Sequence, residues 1–262
     1  TFNRIGRWGD AVRANIEAWH SDQRAAVGEG FAIYPAHNLH MLLYAAAFDG
    51  QGAISIQAAK DYAKLGNNAT QYHVLTLVRF GRFDEVLEVH RAPGSGANRG
   101  FWDFSRGYAH LKLGAADSAQ VYLAKIEEAA AGAQGTQAGL LGIVGGILRG
   151  EMLLGEGRVN EAITALEAAA TLEDGLPYAE PGQLPFSPRH WLGAALLEGN
   201  RPADAERVYR ENLVEHPRNG WSLFGLTQAL TAQGKTAEAA ETRAQLEESW
   251  ARSDTWLWSS RF

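Results

Sequence analysis

The 262-residue chain has no cysteine. That single absence removes disulfides, thiolate nucleophiles, zinc-thiolate sites and iron-sulfur clusters together, and it carries no information on compartment. Positive charge is also in short supply: 24 Lys and Arg stand against 30 Asp and Glu, for a net charge of -6 and a pI near 5.8. The clustered basic surface that grips a phosphate backbone is therefore not expected, and nucleic acid is excluded as a partner. No run approaches the roughly 18 consecutive apolar residues of a membrane span, and the start lacks a basic segment followed by an apolar one. A cytoplasmic protein without a membrane span is the resulting expectation. Catalytic signatures are missing as well: there is no Gly-x-Ser-x-Gly elbow, no His-Glu-x-x-His motif and no phosphate loop, so an enzymatic role has no motif behind it.

What the chain does have is a repeat. Hydrophobic residues at 46% and charged residues at 21% are ordinary for a folded protein. About seven times, a glycine or its stand-in follows an apolar stretch, and a small residue comes five positions later. The turn residues are Gly6, Gly50, Gly81, Gly114, Gly157, Asn200 and Gly234; the small residues are Ala11, Ser55, Val86, Ala119, Ala162, Ala205 and Ala239. A helix end needs a left-handed residue, which glycine adopts freely and asparagine tolerates, and a methyl-sized side chain lets two helices approach closely. The spacing therefore predicts helical hairpins, and units of this kind bury their apolar faces only by stacking. The expected fold is all-α: a right-handed superhelical solenoid of about seven helix-turn-helix repeats in one domain over residues 1–262.

Three steps between small residues lie close to 34 residues, and three carry about ten more. Inserted loops are expected around Ser21 to Gly30, Ala130 to Thr136 and Glu173 to Leu184, the last able to fold across a groove as a lid. Thr1 to Ile5 leads straight into the turn at Gly6, which predicts a truncated first unit. Pro35 and Pro188 mark helix starts, with Ser187 placed to cap the second. The aromatic tail around Trp256 and Trp258 is expected to cover the last repeat. Homodimers through that tail or through the stack ends are the alternative. Asn68-Ala69-Thr70 forms a glycosylation sequon.

The segment from Arg189 to Phe262 resembles a tetratricopeptide-repeat protein: Leu192-Gly193-Ala194-Ala195-Leu196, Ala205, Tyr209, Pro217, Leu223, Leu226, Gly234 and Ala239 match the packing residues of that repeat. The chain is also similar to uncharacterised bacterial tetratricopeptide proteins with a Tyr-Pro-x-His-Asn-x-His stretch, here Tyr34 to His40, and a Ser-Arg-Phe-like end, here Ser260 to Phe262. The resemblance implies that each first helix lines a concave surface, with inward positions at fixed offsets before the small residue. Those offsets select His37, His40, Tyr44, Gln71, Phe104, Tyr108, Ile147, His190 and Phe224. Such a polar-aromatic wall suits a peptide segment or a small ligand.

The expected function is a non-catalytic binding scaffold whose concave face is lined by His37, His40, Tyr44, Gln71, Phe104, Tyr108, Arg189 and His190. His37 and His40, three apart on one helical face, also suit a divalent transition metal, with a third ligand from Tyr44, His73, another repeat or upstream sequence; a metal-dependent enzyme or metal carrier is the rival reading. Interhelical hydrogen bonding is the structural alternative for the pair. Asn38 is expected to close the preceding loop. Arg189 either pairs with Glu180 or recognises a ligand carboxylate. His20, His90 and His216 are expected near the ends of second helices, His110 near the end of a first helix and His73 within one. Gly139, Gly142, Gly145 and Gly146 read as tight helix packing.

Overall fold

The computed structural model describes residues 2–29, 34–66 and 69–262. Thr1, Gly30 of the first expected insertion and Asn68 of the sequon lie outside them. All regular structure among the described residues is helical: a 3-10 turn, Asn3–Ile5, and thirteen α-helices. These are α1 (Trp8–Ala26), α2 (Pro35–Phe48), α3 (Gly52–Lys64), α4 (Gln71–Arg79), α5 (Phe83–Glu88), α6 (Gly96–Lys112), α7 (Ala116–Ala131), α8 (Gly135–Gly155), α9 (Val159–Asp174), α10 (Arg189–Glu198), α11 (Pro202–Glu215), α12 (Gly220–Ala232) and α13 (Thr236–Trp250). Each helix packs against the next in the chain, including α5, which is only six residues long and lies against both α4 and α6. Contacts between α2 and α4, α4 and α6, α6 and α8, and α10 and α12 bring the even-numbered helices together as well.

The turn chemistry is as the spacing predicts. Gly6, Gly50, Gly81, Gly114, Gly157 and Gly234 all have positive φ, and Asn200 sits at 55°. At Gly50 a second constraint is added, because a Cβ there would lie 2.4 Å from the Trp250 ring. The seven small residues all fall on odd-numbered helices and all are buried. Ser55 uses its hydroxyl to bridge helices, donating to the Leu43 carbonyl at 2.8 Å. The glycines of α8 serve packing: a Cβ on Gly142 would meet Leu172 at 2.6 Å, and one on Gly146 would meet Ala169 at 3.0 Å.

The extra residues of the long steps are spent differently from expectation. In the first, helix α1 continues through Ser21 to Ala26. In the second, α7 runs to Ala131 and α8 takes 21 residues from Gly135, so only a short link remains. Alanine, glutamine and arginine in these stretches favour helix, and the glycines fall at helix ends rather than opening a long loop. The third, residues 175–188, is a loop. His20 accordingly lies inside α1 rather than near its end. Helix α8 is long and apolar enough, by length and composition, to cross a membrane; here more than half of it is buried against α6, α7 and α9.

The tail does not cover the last repeat with its aromatic pair, as expected, but ties back across the helices. Trp256 and Trp258 stay 82% and 65% exposed, while the surrounding residues run back across the helices. Arg252 grips the buried Asp49 through bonds of 3.0 and 2.8 Å. Asp254 accepts from the Gly52 and Ala53 amides at 2.6 and 2.9 Å, capping α3 from 200 residues away. Ser260 donates to the His190 carbonyl at 2.6 Å and bonds the Tyr209 hydroxyl at 2.8 Å. Arg261 pairs with Glu151 at 2.6 Å and Glu198 at 2.5 Å. Early and late parts of the chain also meet directly: the indole N–H of Trp8 on α1 donates to the Pro217 carbonyl between α11 and α12, and that of Trp221 on α12 to the Ala47 carbonyl on α2, both at 2.9 Å.

Candidate functional site

Most of the residues selected for an inner wall lie in the protein interior, with the chain packed around them. Gln71, Phe104, Tyr108, Ile147 and His190 are all buried. Tyr108 accepts a hydrogen bond from the Trp191 indole at 2.9 Å and donates to the Phe262 carbonyl. Nδ1 of His190 lies 3.1 Å from Nη2 of Arg79, a fully buried guanidinium whose Cζ sits 3.5 Å from the Trp221 ring centre. Phe104 packs on Phe186 of the 175–188 loop, ring centres 6.0 Å apart. These residues lie in the core, and of them Phe186 also borders the cavity described below. The physical reason is area: so many aromatic rings left in an open groove would forgo roughly 25 cal/mol for each Å² that the loop and tail now cover.

The 175–188 loop packs against α2 and α4. Gly182 rests on the Tyr44 ring, where a Cβ would come within 3.2 Å, and Gln183 accepts from the Tyr72 hydroxyl at 3.2 Å. Beside this seam lies a cavity of about 710 Å³, bordered by the Asn3–Arg4 turn, α1, α2, α8, the end of α9, the loop, and the end of α11. Ligand pockets generally fall between about 300 and 1,000 Å³. Of the residues selected by sequence, Tyr44 and Arg189 line it.

Three polar groups on this cavity are unengaged among the described residues. Both Nδ2 and Oδ1 of Asn3 are buried without a partner, although the residue is only 6% exposed. The Tyr44 hydroxyl makes no hydrogen bond to the described residues, and burial holds its pKa far above the ordinary phenol value, so it is neutral. Glu173 uses Oε2 for both of its donors, the Ser187 hydroxyl at 2.7 Å and Arg189 Nη1 at 3.0 Å, leaving Oε1 without one. Burial pushes the Glu173 carboxyl up to about 7, against the opposing pull of Ser187 and Arg189. Glu173, Arg4 and Glu180 all act electrostatically on the Tyr44 hydroxyl, which places these groups around the same space.

Arg189 does not pair with Glu180. It bonds Glu173, Asp174 at 2.8 Å and Glu211 at 3.7 Å, so three carboxylates share one guanidinium. The geometry follows from the helix start: Ser187 accepts from the Arg189 amide at 3.2 Å, which turns the side chain back onto α9. Glu180 instead accepts from the Tyr178 hydroxyl at 2.5 Å. At the cavity rim, Arg4 lies over the Tyr178 ring with Cζ 4.4 Å from its centre, and 4.0 Å from Glu215.

The histidine pair is divided between environments. His37 is exposed, while His40 packs on Tyr72 at 4.3 Å with its Nε2 buried and unpartnered. Burial lowers the His40 pKa to about 4, with nearby His37 adding to the effect and a backbone hydrogen bond with Gly182 opposing it. No group of three or more metal-ligating side chains comes together among the described residues. Asn38 reaches α1 rather than the preceding loop, donating to Asp22 at 2.8 Å. His216 follows α11 and lines the cavity as a neutral ring, its pKa lowered by burial to about 4.

Sequence reasoning missed Asn3, Glu173, Trp8 and Phe186, none of which stands at an inward position of a complete first helix. The one signal for Glu173 was its place at the mouth of the long insertion. Neither the known protein families nor the functionally curated proteins include a match to this chain.

Proposed function

We propose that this protein is a non-catalytic binding scaffold of the tetratricopeptide type, its hairpins stacked in a right-handed superhelix, and that it holds a small molecule in the cavity beside the 175–188 loop. The observation that carries the reading is the set of unengaged polar groups, Asn3, Tyr44 and Glu173 Oε1, on one 710 Å³ cavity. A buried amide that pairs with nothing costs about 1–3 kcal/mol, and a ligand that satisfies it recovers that cost on binding. Trp8, Tyr44 and Phe186 supply apolar walls, and the loop supplies a cover. A peptide in an open concave groove is less well supported, because the tail and loop already occupy the wall. The proposal is tested by thermal-shift screening of a small-molecule library against the wild type and an Asn3→Leu variant. Compounds that stabilise the wild type but not the variant are expected. A screen without hits, or hits equally strong with the variant, refutes it.

A further inference from the structure

The loop that borders the cavity divides into two unlike halves. Residues 184–188 are buried, with Phe186 against Trp191 at 5.0 Å between ring centres and Ser187 bonded to Glu173. Pro177, Tyr178 and Ala179 are exposed, Tyr178 by 72%. From 177 to 186 no backbone group bonds the backbone of another described residue. Neither half has a helix or ladder to hold it, so burial separates them, and the exposed half is the part that yields first.

Burial along the cavity wall locates its mouth. Asn3, Trp8, Tyr44 and Leu140 are buried, whereas Arg4, Tyr178 and Glu215 line the same space and are exposed. The weak half of the loop therefore stands at the entrance, and the anchored half forms wall. One side chain reaches across. Arg4, on the Asn3–Ile5 turn, places Cζ 4.4 Å from the centre of the Tyr178 ring and Nη1 4.0 Å from Glu215 of α11. The Tyr178 hydroxyl donates to Glu180 at 2.5 Å, which leaves the ring face to the guanidinium. A cation over an aromatic face at an exposed site shifts an equilibrium about two- to fivefold, enough to bias a mobile segment and too little to fix it shut.

Resting on the reading of the cavity as a ligand site, we infer that residues 177–180 form a flap across its mouth, and that Arg4 is the latch that holds the flap closed and so sets how readily a molecule passes. Opening frees Tyr178 from Arg4 while Pro181 and residues 184–188 stay packed, so the cavity wall survives the motion.

Because the 262-residue chain has no cysteine, a single thiol placed on the wall reports passage through the mouth. Leu140→Cys supplies it, and its alkylation by N-ethylmaleimide at pH 7.5 is followed by mass spectrometry. Adding Arg4→Gln is expected to raise the rate about two- to fivefold, and Arg4→Lys, which keeps a cation, to raise it less. Tyr178→Leu is expected to match Arg4→Gln, and the two together to be no faster than either alone, because both cut the same contact. Ala195→Cys, buried in α10 and not on the cavity wall, reports global opening, and its rate is expected to be unchanged by Arg4→Gln. If Leu140→Cys does not fold, Ile143→Cys on the same wall takes its place. An Arg4→Gln rate equal to that of the parent, additive effects of the two substitutions, or equal acceleration at Ala195→Cys overturns the latch. The labelling needs no ligand, so the two readings fail separately. A latched flap beside a library screen that yields nothing sensitive to Asn3→Leu refutes the ligand reading, and hits sensitive to Asn3→Leu beside a rate indifferent to Arg4 refute the flap.

Discussion

Tyr108→Phe removes one oxygen from the centre of the molecule and tests whether the inner wall is structural. That oxygen accepts the Trp191 indole N–H at 2.9 Å and donates to the Phe262 carbonyl. Trp191 is fully buried, so its N–H gains no water in exchange; leaving such a donor unpaired costs about 1–3 kcal/mol. Phe262 is half-buried and water compensates part of its loss, adding roughly 0.5 kcal/mol. The expected destabilisation is about 2 kcal/mol, which for a chain of this size lowers Tm by about 4–8 °C. Urea unfolding followed by tryptophan fluorescence measures it. Tyr122→Phe is the control, since its hydroxyl accepts only from Arg106 at a partly exposed position; a change of at most about 0.5 kcal/mol is expected there. If the two variants are equally stable, the hydrogen-bonded anchoring of the tail is wrong.

Asp254→Ala deletes the cap that the tail places on α3, and is expected to cost about 1 kcal/mol. Hydrogen exchange of the Gly52 and Ala53 amides is expected to accelerate while that of α9 is unchanged; uniform exchange across both helices would count against a local cap. Acid sensitivity follows from His40, His73 and His216, each held by burial at a pKa of about 4. Because the folded pKa lies below the ordinary value of 6.5, the neutral ring is favoured in the fold: stability is complete above pH 6.5 and declines as pH falls toward 4. Unfolding free energies measured at half-unit steps are expected to show net proton uptake on unfolding between pH 6.5 and 4, to which His190 and His110 also contribute, and His216→Asn to reduce that uptake by up to one proton; an unchanged slope in the variant contradicts the assignment.

The hairpin pattern was legible because its causes are local. A left-handed turn needs glycine or asparagine wherever it occurs, and Gly50 or Asn200 announces it without reference to the rest of the chain. Close helix crossing needs a small residue, and Ala162 or Ala205 shows that as plainly. The ends of α1 and the α7–α8 link were misread because glycines there were weighed above the helix preference of their neighbours. The tail could not be read at all from spacing: Asp254 meets Gly52, and Ser260 meets His190, only after every helix is in place. Half of the candidate site was visible for the same reason. Tyr44 sits at a regular inward position and Arg189 beside a predicted lid, whereas Asn3 and Glu173 gain their meaning from distant partners.

The crossing of the tail from α13 back to α3, together with the indole bonds from Trp8 and Trp221, gives the molecule a gauge of its own length. In an open stack no residue senses how many units there are, so hairpins can be gained or lost freely. Here one additional hairpin would shift Ala47 from Trp221 by about the 8–10 Å between packed helices, and both indole bonds would be lost. The number of helices between α2 and α12 is therefore held by contacts that an inserted pair would break.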